Sequence, residues 1–179
     1  MYARTLTRLL LAALPAGAPS VALDSASSAA TAAMSPGAHD LDELRMLYRR
    51  LIDAENRHDI EGVRPIVWVS PNALFVAKTA TEAEGNWAGF WGTEIVLQHL
   101  DDLYKAGPFH IEPDYDREKI VALSRDVVET YVPVSITVTY GGQVPVPKPF
   151  LMILEWVRTT DGWRMATDIA LPIPPAPQH

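Results

Sequence analysis

The chain of 179 residues contains no cysteine. Disulfide bracing, a thiolate nucleophile and thiolate metal ligation are therefore excluded. Positive charge is also short: 15 Lys and Arg stand against 22 Asp and Glu, a formal net charge of −7. That balance argues against nucleic acid or an anionic lipid surface as a partner. The apolar run Leu9–Leu14 falls far short of the roughly 20 residues a membrane-spanning helix needs. No glycine-rich phosphate loop occurs, and no serine sits in a nucleophile elbow. What the chain does have is 48% hydrophobic residues, five Trp and six Tyr. These suffice for the core of a single domain and for enclosed aromatic surface.

Arg4 and Arg8 precede that apolar run, and the small residues Ala16, Ala18, Ser20 and Ala22 follow it. This is the layout of a secretory signal peptide over residues 1–22, cleaved after Ala22, with a secreted or periplasmic destination. The alternative is a frayed N-terminal helix kept in a cytosolic protein. Residues 23–39, rich in Ala and Ser, have too little apolar surface to pack and read as a disordered linker. The folded domain is expected over residues 40–175.

Leu44, Leu47, Tyr48 and Leu51 fall at helical spacing, with Asp40 as the expected N-cap and Glu43 reaching back to it. A short second helix is expected after Asp59, with Pro65 limiting it. "NALFVAK" reads as a strand, and the Gly85 region as a turn or irregular crossing into "NWAGFWG". A helix from the cap Thr93 to Gly107 carries Val96, Leu97, Leu100, Leu103 and Tyr104 on one side. After Pro108 four strand-like stretches follow, with turns at Ser124–Asp126, Gly141–Gly142 and Asp161–Gly162. Helices followed by a meander predict an α+β fold with helices on one face of a curved antiparallel sheet. In Phe150–Val157 both alternating sets are apolar apart from Glu155. Both sheet faces are thus expected to be covered, the second by a homodimer partner or a folded-back segment.

Several stretches, in order, resemble the NTF2-like (cystatin-like) superfamily, particularly its SnoaL-like and ketosteroid-isomerase-like branch. They are "AENRHDIEGV", "NALFVA", "GTEIVLQHLDDLY", "LSRDVVETYVPVSITVTY" and "RTTDGWRMATDIALPIP". The resemblance implies a cone of helices and curved sheet around an apolar pocket, and dimerisation through the outer sheet face. It also implies activities from isomerase and dehydratase to binding alone. The branch's base at the end of the first strand falls on Val76, Ala77 or Lys78, and no carboxylate stands there. Lys78 reads as a base only if burial lowers its pKa, and otherwise as a solvated strand end.

Asp168, in the middle of an apolar strand, is the candidate catalytic residue. Strict alternation groups it with Arg164, Ala166 and Ala170, opposite Trp163 and Met165. Inside the cone it is a general acid or base with a raised pKa; outside, it pairs with an arginine or caps a loop. The histidine that accompanies such an acid in SnoaL-like relatives is absent from its flanks. Glu129 and Tyr131 share a strand face and form either a ligand-binding cluster on the cone wall or a solvent-facing edge pair. Trp87 and Trp91 bracket Gly89 and read as ligand-pocket walls or as core. His110, Glu112, Asp114 and Asp116 alternate and could gather a hard metal, but Pro113 favours an acidic edge strand, so no metal and no cofactor is expected. His99 reads as a satisfied helix histidine and His58 as surface. The functional expectation is an exported cone binding a small hydrophobic or carbonyl-bearing molecule, with isomerase- or dehydratase-type proton transfer. The alternative is a non-catalytic periplasmic binding or interaction module.

Overall fold

A computed structural model describes residues 36–78, 87–139 and 144–173. The expected signal peptide, most of the linker and the turns at Gly85 and Gly141–Gly142 lie outside the described residues. Helix α1, Ala38–Asn56, begins earlier than its sequence cap suggests. Gly37 is the N-cap, and Asp40, inside the first turn, accepts the Gly37 N–H at 3.0 Å. An acid there also meets the positive end of the helix dipole. Leu44, Tyr48, Leu51 and Glu55 form its buried stripe, spaced as one helix face requires. Helix α2, Ile60–Val63, is capped by Asp59, whose carboxylate accepts the Gly62 N–H at 2.9 Å.

Strands β1 (Leu74–Lys78) and β2 (Trp87–Trp91) pair antiparallel, so the WAGFW stretch that follows the Gly85 region is a strand. Helix α3, Thr93–Ala106, starts after Gly92 and stops at Gly107. Thr93 is its first residue rather than its cap; its hydroxyl donates to the Trp68 carbonyl at 2.8 Å and accepts the Ser70 N–H at 2.8 Å. Then come β3 (Phe109–Pro113), a 3₁₀ turn at Tyr115–Arg117, β4 (Lys119–Ala122), β5 (Val127–Val138), β6 (Lys148–Thr159) and β7 (Gly162–Pro172). The sheet order is β2-β1-β7-β6-β5-β3, and β3 and β4 line successive halves of β5. All pairings between these strands are antiparallel except β1–β7. The sheet is therefore mixed, because the early strand β1 returns to lie beside the last one.

Both helical stripes pack on one sheet face. Val128, Thr130, Val132, Met152, Leu154, Trp156, Trp163 and Met165 supply its buried side. The Trp156 indole N–H donates to the Thr130 hydroxyl at 3.0 Å, which satisfies both polar groups in the core. On the other face Leu151, Ile153 and Val157 stay half-buried. Asp40 is held by Arg158 at 2.6 Å, and that ion pair keeps its carboxyl below the usual carboxylate range. The same guanidinium lies 4.4 Å from the Trp163 ring centre. The start of α1 is thus fastened to the β6–β7 hairpin.

Its other end is fastened to the edge strand β3. The Asn56 amide donates to the Ile111 carbonyl at 2.8 Å and accepts the Ile111 N–H at 2.7 Å. Truncation to Ala leaves two backbone groups of a buried residue without partners. Asn56→Ala is expected to lower unfolding free energy by about 2–3 kcal/mol, measured by urea denaturation. A loss under about 0.5 kcal/mol would show the clamp to be dispensable.

Candidate active site

Between α1, α3 and the sheet lies an open-mouthed cavity of about 80 Å³. Its wall is almost wholly apolar, with Phe75, Leu100, Phe109, Ile136, Phe150 and Met152 among its residues. Three polar residues interrupt it: Glu55 from α1, His99 from α3 and Asp168 from β7.

Asp168 reaches this wall because of a β-bulge. Glu155 on β6 faces Thr167 but Trp156 faces Met165, so Ala166 is an extra residue in β7. An added residue reverses the alternation beyond it. Trp163 and Met165 face the core before the bulge, and Asp168 and Ala170 face it afterwards. Asp168 thus shares a face with Trp163 and Met165, not with Arg164. Beside it, Phe75 is its register partner on β1.

Glu55 and Asp168 are each 1% exposed. Oε2 of Glu55 and Oδ1 of Asp168 have no hydrogen-bond partner. Burial disfavours the charged form: it pushes the Asp168 carboxyl up to about 7. Glu55 is driven well above the ordinary glutamate value by burial and then by the charge of Asp168. The two titrate as a pair, so protons remain on it near neutral pH. Two phenols stand nearby. The Tyr48 hydroxyl, 3.8 Å from Met152 Sδ, and the buried Tyr104 hydroxyl both have raised pKa values, from burial and then from these two acids. His99 is held by aromatic rings, stacked on Phe90 at 3.6 Å between centres and tilted against Phe75 at 5.2 Å.

No protein-family model matches the chain, and no curated protein matches it. Solved structures do match. An uncharacterised protein with a cystatin-like fold from Caulobacter vibrioides superposes with a TM-score of 0.62 at 14% identity, over 76% of this chain and 92% of that one. A candidate dehydratase of the NTF2-like family from Streptomyces avermitilis gives 0.60 at 18% identity, over 76% and 98%. The chain has the NTF2-like fold. A candidate aromatic-ring hydroxylase from Novosphingobium aromaticivorans superposes equally well, 0.62 at 13% identity over 78% and 92%. Identities this low carry the fold, and the chemistry has to come from the site.

Within this NTF2-like cone the sequence candidates separate. Asp168 is on the cavity wall. Glu129 and Tyr131 are not, because β5 turns Val128, Thr130 and Val132 inward and leaves them on the opposite face. There the Tyr131 hydroxyl donates to Glu129. Trp91 is 55% exposed at the end of the edge strand β2, away from the cavity. Trp87 pairs with Lys78 through the backbone, and both side chains lie outside the described residues. Ala77 lines the cavity where the first-strand base would stand. Glu112 and Asp116 are exposed, and Asp116 sits in the 3₁₀ turn, so the four acidic-stretch residues do not share a strand face. His39, Asp40 and Glu43 could offer ligand atoms within 4.8 Å of one another, but Asp40 is already held by Arg158.

Glu55 was not among the sequence candidates, although it extends the Leu44–Tyr48–Leu51 stripe by one more turn. A carboxylate in line with three core residues was the available signal. His99, read as a satisfied helix histidine, lines the same cavity as Asp168.

Proposed function

We propose that the cone binds a small, uncharged, largely apolar molecule bearing a carbonyl group and moves a proton on it. The observation that carries this reading is the pair of fully buried carboxyls on the wall of an otherwise apolar, open cavity. A protonated carboxyl of the pair donates a hydrogen bond to the carbonyl oxygen, while its ionised partner removes a proton from the adjacent carbon. Returning that proton to a different carbon isomerises a double bond. Expelling a β-hydroxyl as water, with the proton delivered by the acid, gives dehydration. Asp168 is assigned as base and Glu55 as donor, since charge on Asp168 raises Glu55 further. The apolar wall excludes water and strengthens both interactions. The labels of the Streptomyces and Novosphingobium relatives are compatible with carbonyl or ring substrates.

The test uses 3-cyclohexenone and 3-hydroxycyclohexanone, which isomerise and dehydrate respectively to the same conjugated enone, followed by ultraviolet absorbance and by deuterium uptake from heavy water. Saturable conversion is expected, with Asp168→Asn slowing it by about 10²–10⁴-fold. Saturable binding without enone or deuterium uptake would instead favour a non-catalytic binding module. We further propose export, supported by the signal-like residues 1–22, and a homodimer through the outer sheet face, supported by its half-buried Leu151, Ile153 and Ile169. Native mass spectrometry reads both the mature mass and the subunit count.

A further inference from the structure

We propose that the same cavity takes a hydrophobic ammonium ion, with the amine seated against the carboxyls of Glu55 and Asp168 and its hydrocarbon body against the aromatic wall. This rests on the cavity being a ligand site, as proposed above, and not on turnover.

The cavity presents carboxyl acceptors without a cationic partner among the described side chains. Glu55 Oε2 and Asp168 Oδ1 are buried and unpartnered. Among the described side chains, no lysine or arginine lines the cavity. Neither acid joins any of the ion pairs formed elsewhere in the described residues. A buried acid pair of this kind is ordinarily matched by an arginine or lysine, because an uncompensated charge at low dielectric is expensive. Among the described side chains, none supplies that cation. A primary ammonium brings one positive charge and three N–H donors, enough to satisfy both orphan oxygens at once. The rings of Phe75, Phe109 and Phe150 line the same space, and the faces of aromatic rings attract cations. The other titratable groups facing the pair are Tyr48 on α1 and Tyr104 and His99 on α3. The phenols have raised pKa values and so stay neutral. The raised proton affinity of the pair points to the same deficit of positive charge. An anionic ligand would meet two acids and no counter-charge, and a chain of net charge −7 draws cations toward it rather than anions.

Three probes of one shape separate the possibilities: cyclohexylmethylamine, cyclohexylmethanol and cyclohexanecarboxylate. Each is titrated into the full chain by isothermal calorimetry at pH 7.5 and 150 mM salt. The expected result is saturable one-site binding of the amine, at least tenfold tighter than the alcohol, and no binding of the carboxylate. Asp168→Asn and Glu55→Gln should each weaken the amine at least tenfold, and more than they weaken the alcohol. Both variants are checked for cooperative melting, and either one alone suffices if the other fails to fold. An amine that binds no better than the alcohol overturns the inference while leaving the cavity a site for neutral ligands. Amine affinity unchanged in both variants overturns it as well, since the contact is then with surface acids. Failure of all three probes to bind overturns this inference and the ligand-site reading together.

Discussion

Asp168→Asn is expected to melt about 5–10 °C above the parent protein at pH 8 and to match it within about 2 °C at pH 4. The reason is the proton affinity that burial gives this carboxyl. Its value rises from 3.8 unfolded to about 7 folded. The folded chain therefore holds a proton that the unfolded chain has released across that interval, and stability falls as pH rises through it. The contribution is complete below about 4 and is lost as pH passes 7. At 1.36 kcal/mol per unit, reduced for relaxation and water entry, the loss is about 2–4 kcal/mol. For a domain of this size, that corresponds to the stated melting shift. Asparagine keeps the shape, carries no charge at any pH and can donate its amide hydrogen to the remaining acid. Glu55→Gln should behave in the same direction, because burial and the neighbouring charge raise its proton affinity too. A site that gains stability when its acid is neutralised, and loses turnover with the same change, is built for function rather than for folding. A variant that unfolds at pH 4 would show instead that Asp168 serves the fold.

Deleting Ala166 is expected to leave the facing of Asp168 unchanged. With the extra residue gone, Thr167 follows Met165 directly, and the pairs Trp156–Met165 and Glu155–Thr167 become successive pairs of a regular ladder. Strict alternation then keeps Trp163, Met165, Asp168 and Ala170 toward the helices and Thr167 and Ile169 outward, and the pairing with β1 is kept. The cost is the buried methyl of Ala166 and the local twist of the bulge, about 1–3 kcal/mol. Circular dichroism on heating should show a cooperative melt at a lowered temperature. Loss of cooperative folding on deletion would show that the bulge does more than bring Asp168 onto the core face.

The helices and the late strands were legible because their patterns are strong. Leu44, Tyr48 and Leu51 repeat at the helical period, and Phe150, Met152, Leu154 and Trp156 at the strand period, and each set is found on the core side. The facing of Asp168 was not legible. The bulge carries an alanine, with neither glycine nor proline to mark it, so strict alternation put Asp168 on the wrong set. The parallel neighbour β1 was likewise hidden, since its pairing with β7 joins residues about 93 positions apart and no local signal fixes such contacts. Glu129 and Tyr131 could have been placed from their own strand: the alternate set Val128, Thr130, Val132, Val134 and Ile136 is the more apolar one and is the one buried. Glu55 was hidden because an acid on a helix is ordinarily solvated, and its burial depends on β7 and α3 closing over it.

The central claim is that two carboxyl groups stay protonated, wholly or in part, near neutral pH because they are buried together on an apolar cavity wall. Carbon-13 NMR of the side-chain carboxyls, titrated from pH 3 to 9 in the full chain and in the Asp168→Asn and Glu55→Gln variants, tests it directly. The expected result is one aspartate and one glutamate signal that titrate far above the remaining acids, the aspartate near pH 7, each lost in its own variant and the survivor shifted in the other. Titration of every aspartate and glutamate below about pH 5 would contradict it.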